Sequence, residues 1–577
     1  VKFRELAEVF GRLQLSKGRL GAVRLIAELF GRADLEELEP VVYLLQGQLR
    51  PPYEGVEFGV GERLLLQVMA RAFDATESSV TKRYRKLGDL GLVAESLGTT
   101  RRSRPLSIRQ AYAALLEVAG AGGTGATGRR VRLLAELLRR ATPLEARYLV
   151  RIVQGRLRLG VGDATILEAA AAGALKDRGR KSLIEQAYNV RSDLGGVVRL
   201  AYARGTRGLA QIGPKVGIPV RPALAQRLVS AEAIIARLGT VRVEPKYDGF
   251  RLQLHRDGDR VWAFSRRLED VSPMFPELTE AIRRQLRVRR VILEGEAVVY
   301  DPVTGKFLPF QITMTRKRKH RIAEAAERHP LRLFAFDLLY ANGRNYLGCP
   351  QKERSRRLAA VLRNQGRGVV TLTESLTTGS ARALQRYFDR MTGRGLEGVV
   401  AKRPEAPYRA GARGYDWVKL KRSYQSRLRD TVDVVLVGYL SGRGKRVSLG
   451  VGSLLGAVYD PRGDRYRTVA KIGSGLSEPE WRALRRQMDR LATSPRPKQV
   501  DSAITPDVWI EPKLVAEVLA DEITRSPRHT CGKSRGGPGY ALRFPRLLGI
   551  RIDRKPEDAT TEREIVQMYR MQGRGRA

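Results

Sequence analysis

The hydrophobic period changes once along this chain, and that change limits the possible folds more than any single motif does. Up to about residue 212 the apolar residues recur at helical spacing, as in Val23 to Phe30, Arg63 to Phe73 and Tyr112 to Val118. Thr142-Pro143-Leu144-Glu145 reads as a helix start: a capping threonine, a proline at the first helical position and an acid in the first turn. From about 213 strand-like runs take over, at 241–244, 250–255, 261–264, 290–293, 296–300, 332–336, 398–401 and 416–420, with helical stretches at 276–287 and 351–364. After about 428 come short strands at Val432 to Gly438, Leu454 to Tyr459 and Tyr466 to Ile472, with a single helix at Glu478 to Leu491. The pattern predicts a multidomain protein: an all-α domain over 1–212, an α+β domain over 213–427, and a small closed β-barrel of OB-fold type over 428–577. The last residues, 573–577, are expected to fray.

Charge narrows the choice of partner. The formal net charge is +45 over 577 residues. That excess, spread along the whole chain, points to a polyanion and to nucleic acid in particular. Only Cys349 and Cys531 are present, so neither a disulfide framework nor a zinc cluster can be built, and a reducing setting fits. There is no apolar run of about 18 residues, so no membrane partner is expected. The chain begins at Val1, which leaves room for an initiator methionine or a short leader.

The densest cluster of chemistry is Val241 to Asp259 (VRVEPKYDGFRLQLHRDGD). One alternating run ends at Glu244-Pro245-Lys246-Tyr247-Asp248-Gly249, and another follows to His255. Lys246 thus stands at a strand end beside carboxylates and a glycine. Locally it is either a solvated edge residue or a nucleophile. Two phosphate-loop look-alikes carry nothing: Gly120 to Gly125 fits G-x-G-x-x-G but follows a helical segment, and His529 to Ser534 (HTCGKS) lacks its leading glycine. Arg147 to Leu159 runs into Gly160-Val161-Gly162 and reads equally as an amphipathic helix or as a glycine turn that brings arginines to phosphates.

Five further polar clusters follow Lys246 at strand ends: Ser265-Arg266-Arg267, Glu294-Gly295-Glu296, Phe334 to Asp337, Glu397 to Lys402, and Trp417 to Lys421. In this order they resemble motifs Ia, III, IIIa, IV and V of the ATP-dependent DNA ligases, within the covalent nucleotidyltransferases, and Glu244 to Gly249 resembles the K-x-D-G adenylation motif. Gln154 to Gly160 (QGRLRLG) is similar to the DNA-binding signature of replicative-type ligases. Val220 to Ala225, Leu542 to Arg546 and Arg551 to Thr561 resemble the adenylation-domain lead-in, the OB domain and motif VI. The resemblance spans nearly the whole chain and looks archaeal or eukaryotic.

It implies an enzyme that seals nicks in duplex DNA, in replication, repair and recombination, through a lysine–AMP intermediate and a 5′-adenylated DNA. Lys246 would be the nucleophile. Glu244, Arg251, Arg266, Glu296, Phe336, Lys402, Arg413, Lys419 and Lys421 would bind the nucleotide: Glu244 reads the adenine amino group, Phe336 stacks on the base and Lys402 assists the α-phosphate. Glu296 and Glu397 would hold Mg²⁺, with Mn²⁺ as a substitute. Arg551, Asp553 and Arg554 of motif VI would orient pyrophosphate. Gly155, Arg156, Arg158 and Gly160 would contact DNA. The resemblance further implies ATP as cosubstrate, a cytoplasmic, nucleoid-associated monomer, and a rotation of the OB domain between steps. Two positions depart from the pattern. Arg554 replaces the usual lysine of motif VI, and Thr99 to Ile108 lacks the paired aromatics with which related archaeal ligases grip a sliding clamp. The abundance of arginine hints at a thermophile. An RNA-directed nucleotidyltransferase (RNA ligase or capping type) and a non-catalytic DNA-binding protein are the alternatives. The long basic helical region disfavours the first, and the full set of site residues the second.

Overall fold

The computed structural model describes the chain except for residues 17, 99–104, 302, 306, 309–312, 314–315, 317–321, 364–367, 422–429, 442–449, 534–536 and 574–577. Most of the expected clamp segment, Ser534, most of the C-terminal tail and the expected boundary at 427/428 lie outside the described residues.

The first region is helical from Phe3–Leu15 to Leu194–Ala210. Its helices enclose one core that includes Phe10, Phe30, Tyr43, Leu115 and Tyr148. Thr142 caps Pro143–Val153 as its sequence predicts: the Thr142 N–H donates to Glu145 at 2.7 Å, and the Glu145 N–H donates to the Thr142 hydroxyl at 3.4 Å. Gly120 to Gly125 is a connector between Ile108–Gly120 and Ala126–Arg140.

The middle region holds two sheets. The first orders its strands as β1 (Leu224–Arg227), β11 (Arg413–Lys421), β10 (Gly398–Lys402), β2 (Val241–Lys246) and β9 (Leu376–Thr378). The second runs β4 (Arg260–Ser265), β3 (Phe250–Asp257), β5 (Arg290–Val299), β6 (Leu331–Ala341) and β7 (Arg344–Asn345), with β8 (Val370–Leu372) also on β6. The runs at 290–293 and 296–300 are one strand, β5, whose register shifts at Glu294/Gly295. Two helices, Ala231–Leu238 and Ala381–Gly393, pack their apolar faces on the first sheet.

Tyr247-Asp248-Gly249 is the corner at which the chain leaves β2 and enters β3 of the other sheet. Tyr247 plugs it, stacked on Phe334 with ring centroids 4.1 Å apart. Gly249 is required there by space: a Cβ would lie 2.3 Å from the Ala297 carbonyl oxygen. The glycine that ends the lysine motif is therefore a close-approach residue between the sheets.

The third region is strand-rich. Its main sheet runs β15 (Ala492–Thr493), β17 (Val508–Ala520), β12 (Asp430–Leu440), β13 (Ser453–Asp460), β14 (Arg465–Ile472) and β16 (Val500–Asp501), with β20 (Arg546–Ile550) on β17; β18 (Glu522–Ser526) pairs β19 (Gly539–Arg543). Among the described residues the strands trace an open path rather than a closed ring. The expected helix is Glu478–Asp489, and a second, Glu562–Gly573, buries Ile565 and Met568 in the same core. Among the described residues no helix is long and apolar enough to cross a membrane.

Gly249→Ala should lower the stability of the middle region by about 1–3 kcal/mol through overpacking at Ala297. Urea unfolding followed by tryptophan fluorescence checks this; an unchanged midpoint would show that the corner has slack.

Candidate active site

Three neighbouring strands set the site out in rows. In the antiparallel pairings of β2, β10 and β11, Lys246, Gly398 and Lys421 stand side by side. Glu244, Val400 and Lys419 form the next row, and Arg242, Lys402 and Trp417 the third. Side chains two apart share a face of a sheet, so all three rows open into one cleft.

The first row is held by one carboxylate. Glu397 accepts a hydrogen bond from the Lys246 ammonium on one oxygen and pairs with Lys421 through the other. Gly398, between the two lysines in register, has no side chain to separate them; a Cβ there would sit 2.1 Å from the Leu420 carbonyl oxygen. Burial pushes the Glu397 carboxyl up, but Lys246 and Lys421 outweigh it and hold it well below the usual range. In the next row burial, then Lys421 and Arg227, push Lys419 well below its ordinary value. Lys421 in the same row and Arg551 and Arg554 from the third region place other cationic side chains in the cleft of Lys246.

The second and third rows form an aromatic recess. Buried Glu244 takes Lys402 at 2.7 Å and Arg242 at 3.3 Å. The Lys402 ammonium also donates to the Phe336 carbonyl at 3.1 Å. Next to Phe336, Asp337 is clamped by Arg354 at 2.7 and 3.0 Å, both side chains buried, which fixes this part of β6. Arg251 lies at the same recess, donating to Glu294 at 2.8 Å and to the Ala223 carbonyl at 2.6 Å.

Nine cationic side chains, Lys246 among them, and five acidic ones line one cleft, so the site is built for an anion. Arg551, Asp553 and Arg554 of the third region line it too. Arg551 donates twice to Asp553 at 2.9 Å, and Arg554 pairs with Asp433. Arg554 thus keeps a charge in the cleft where a lysine was expected. Burial, reinforced by Arg554, brings Arg266 down to about 10. The Nε atoms of Arg251, Arg266 and Arg554 are buried with no hydrogen-bond partner among the described residues. Unsatisfied donors of this kind, gathered in one cleft, fit phosphate oxygens. Arg413 reaches the cleft but pairs with Glu564 of the C-terminal helix.

The acids fit a hard divalent cation. Glu296 is half-buried at the cleft and makes no hydrogen bond or ion pair among the described residues; burial pushes it up to about 7, against the pull of Lys246 and Arg251. A carboxylate that lacks a cation, near Glu397 and Asp248 in the same lining, suits an ion that takes few protein ligands and keeps its waters. Among the described residues no group of three or more His, Cys, Asp or Glu side chains is placed to hold a metal ion, these three acids included.

The Gln154 to Gly160 segment is a turn, not a helix: Pro143–Val153 ends before it, and Gly155, Arg158 and Gly160 all have positive φ (63°, 58° and 67°). Arg158 donates to Asp89 at 2.7 Å and to Glu511 of the third region at 3.1 Å. Lys513 donates to the Gly155 carbonyl, and Lys498 lies against Gly160. Arg156 is half-buried. These four residues stand apart from the Lys246 cleft.

Several contributors were not singled out from sequence. Asp433, Glu517 and Glu564 receive the arginines of the cleft, and Asp89 orients Arg151 and Arg158. A lone acid in a strand or cap carries no local signal of such a role. Trp417 had one, an aromatic beside Lys419.

Comparison with known proteins gives one consistent result. Three family models match: DNA ligase N terminus over 2–171, ATP dependent DNA ligase domain over 222–421, and ATP dependent DNA ligase C terminal region over 448–554. The chain is 44% identical to a protein named "Probable DNA ligase" from Dictyoglomus turgidum over 571 residues, covering 99% of this chain and 98% of that one. It is 39% identical to the DNA ligase of Acidianus ambivalens over 590 residues, again covering 99% and 98%. Among solved structures, mycobacterial DNA ligase D complexed with ATP and MES is 28% identical, with a TM-score of 0.35, covering 59% of this chain and 97% of that one.

The depressed carboxyl of Glu397 sets a pH dependence. Its folded value lies below its unfolded one, so its pairs stabilise fully above the ordinary carboxylate range and that contribution fades as pH falls through and below about 4. Glu397→Gln should cost about 2–3 kcal/mol at pH 7. The gap between variant and parent should narrow toward pH 3 in melting experiments; a gap constant with pH would exclude the ion-pair account.

Proposed function

Because the chain belongs to the ATP-dependent DNA ligases, an enzyme family, we propose how its own residues divide the work of sealing nicked duplex DNA. The observation that carries the proposal is Lys246 at the floor of a cationic cleft that also contains the motif VI arginines of the third region. We assign 1–212 to DNA binding, 213–427 to adenylation and 428–577 to the OB domain.

The reaction needs the Lys246 Nζ lone pair. Nζ hands its hydrogen bond to Glu397, Lys421 stands beside it in the same row, and the strand end fixes its direction of approach. Nζ releases its proton to water and attacks the α-phosphorus of ATP; the P–N bond forms as the P–O bond to pyrophosphate breaks. Lys419, Lys421 and Arg266 offset charge on the transferring phosphoryl group, while Arg551 and Arg554 face the departing pyrophosphate. A DNA 5′-phosphate oxygen then attacks that phosphorus as the P–N bond breaks and the amine regains its proton; the 3′-hydroxyl oxygen attacks the 5′-phosphorus, its proton goes to water, and AMP leaves. Glu244 and Phe336 take the adenine. Arg251 stiffens that recess from Glu294, and Arg413 is released to the nucleotide when Glu564 lets go. Glu296 and Glu397 would hold Mg²⁺, or Mn²⁺ in its place, whose bound chemistry is to neutralise phosphate charge.

Gly155, Arg156, Arg158 and Gly160 suit DNA phosphates once the third region moves off them, which supports a rotation of that region between nucleotide and DNA steps. A monomer acting in the cytoplasm at the nucleoid completes the proposal. A clamp partner has no support, since the usual aromatics are missing from Thr99 to Ile108.

Incubation with Mg²⁺ and either α-labelled ATP or adenylate-labelled NAD⁺, followed by denaturing gels, should label the protein from ATP, with the label lost in Lys246→Ala; equal labelling of the variant would remove Lys246 as the nucleophile. Replacing Arg156 and Arg158 together with alanine should weaken nicked-DNA binding and reduce its log–log salt slope by roughly 1–2, with self-adenylylation nearly intact. An unchanged slope would take them out of the phosphate contacts.

A further inference from the structure

The row geometry separates Lys402 from the chemistry. It stands opposite Arg242, four residues from the row of Lys246, Gly398 and Lys421. At a rise of about 3.3 Å per residue that is roughly 13 Å along the strands. Its side chain is spent in the recess: 2.7 Å from the Glu244 carboxylate, 3.1 Å from the Phe336 carbonyl, and 4.7 and 4.3 Å from the centroids of Phe336 and Trp417. The residue is 1% exposed and Glu244 3%.

We infer that Lys402 is a positioning residue for base selection: it fixes the Glu244 carboxylate and the Phe336 segment so that the recess accepts a purine carrying an amino donor. The inference rests on the proposal that the adenine of ATP sits between Glu244 and Phe336. A carboxylate held in ion pairs with Lys402 and Arg242 presents acceptor oxygens only. It welcomes an exocyclic amino group and repels a carbonyl oxygen. The ammonium, braced against two aromatic rings, also fixes where that acceptor points. Without Lys402 the buried carboxylate keeps Arg242 alone and can rotate away from the purine ring it faces. Its preference for a donor then weakens.

The test compares self-adenylylation by ATP with labelling by purine riboside triphosphate, which lacks the 6-amino group, in the full-length protein. Lys402→Met should raise the KM for ATP at least about tenfold, with the saturating rate falling far less, and should shrink the preference for ATP over the deaminated analogue by at least about tenfold. Lys402→Arg should restore most of that preference. Glu244→Gln should lose it, and adding Lys402→Met to Glu244→Gln should lose little more, because the two residues act as one unit. A preference unchanged in Lys402→Met, or a variant that loses the saturating rate instead, would overturn the inference and return Lys402 to the phosphate or to general stability. Absence of any labelling of the parent protein by ATP would overturn the adenine assignment itself, so the two failures are told apart.

Discussion

One carboxylate, Glu397, holds two lysines of like charge within reach of each other, and the rest of the cleft depends on that pairing. Lys246 and Lys421 come from strands on either side of β10, with Gly398 between them in register. Without an anion at that point the two ammonium groups would repel. Without the glycine, a side chain would press on the β11 backbone. The sheet thus supplies position, the missing side chain supplies room and the acid supplies compensation. A phosphate group entering the cleft is a second source of the same compensation.

That logic extends to the third region. The cleft carries more positive than negative side chains, and two arginines of the middle region are balanced from the third: Arg413 by Glu564 and Arg266 by Asp558 at 3.8 Å. An ion pair shared across a domain boundary is a contact that a charged ligand can exchange for its own. The turn at Gly155 to Gly160 follows the same pattern, since Arg158 divides itself between Asp89 of its own region and Glu511 of another. Every arginine assigned to phosphate from sequence is met here by a carboxylate of the protein or has a donor left over.

Much of the fold was legible because it is written in local rules. The capping box at Thr142, the alternation in β2 and β3 and the helix at Glu478 follow from side-chain period and cap chemistry. The elements not read were those whose pattern is blurred. Val508–Ala520 is a long strand interrupted by Pro512, and Ala381–Gly393 and Glu562–Gly573 are helices rich in charge whose apolar stripe is narrow. The strands at 290–293 and 296–300 read as two because a register shift at Glu294/Gly295 breaks the alternation inside one strand.

The sequence by itself determined the order of the site residues, the type of chemistry they can perform and the family they belong to, because these rest on residue identity and spacing. Only the tertiary structure decided which charge faces which. Lys402 is a lysine like those at 419 and 421, yet it pairs with Glu244 and two rings, because strand register assigns it to another row. Arg147 to Leu159 was likewise divided by the structure into a helix as far as Val153 and a turn with positive φ at Gly155 and Arg158, whose Arg158 is met by an acid more than sixty residues away, Asp89. Electrostatic partners depend on distance in space, and sequence spacing carries that information only within a single helix or strand.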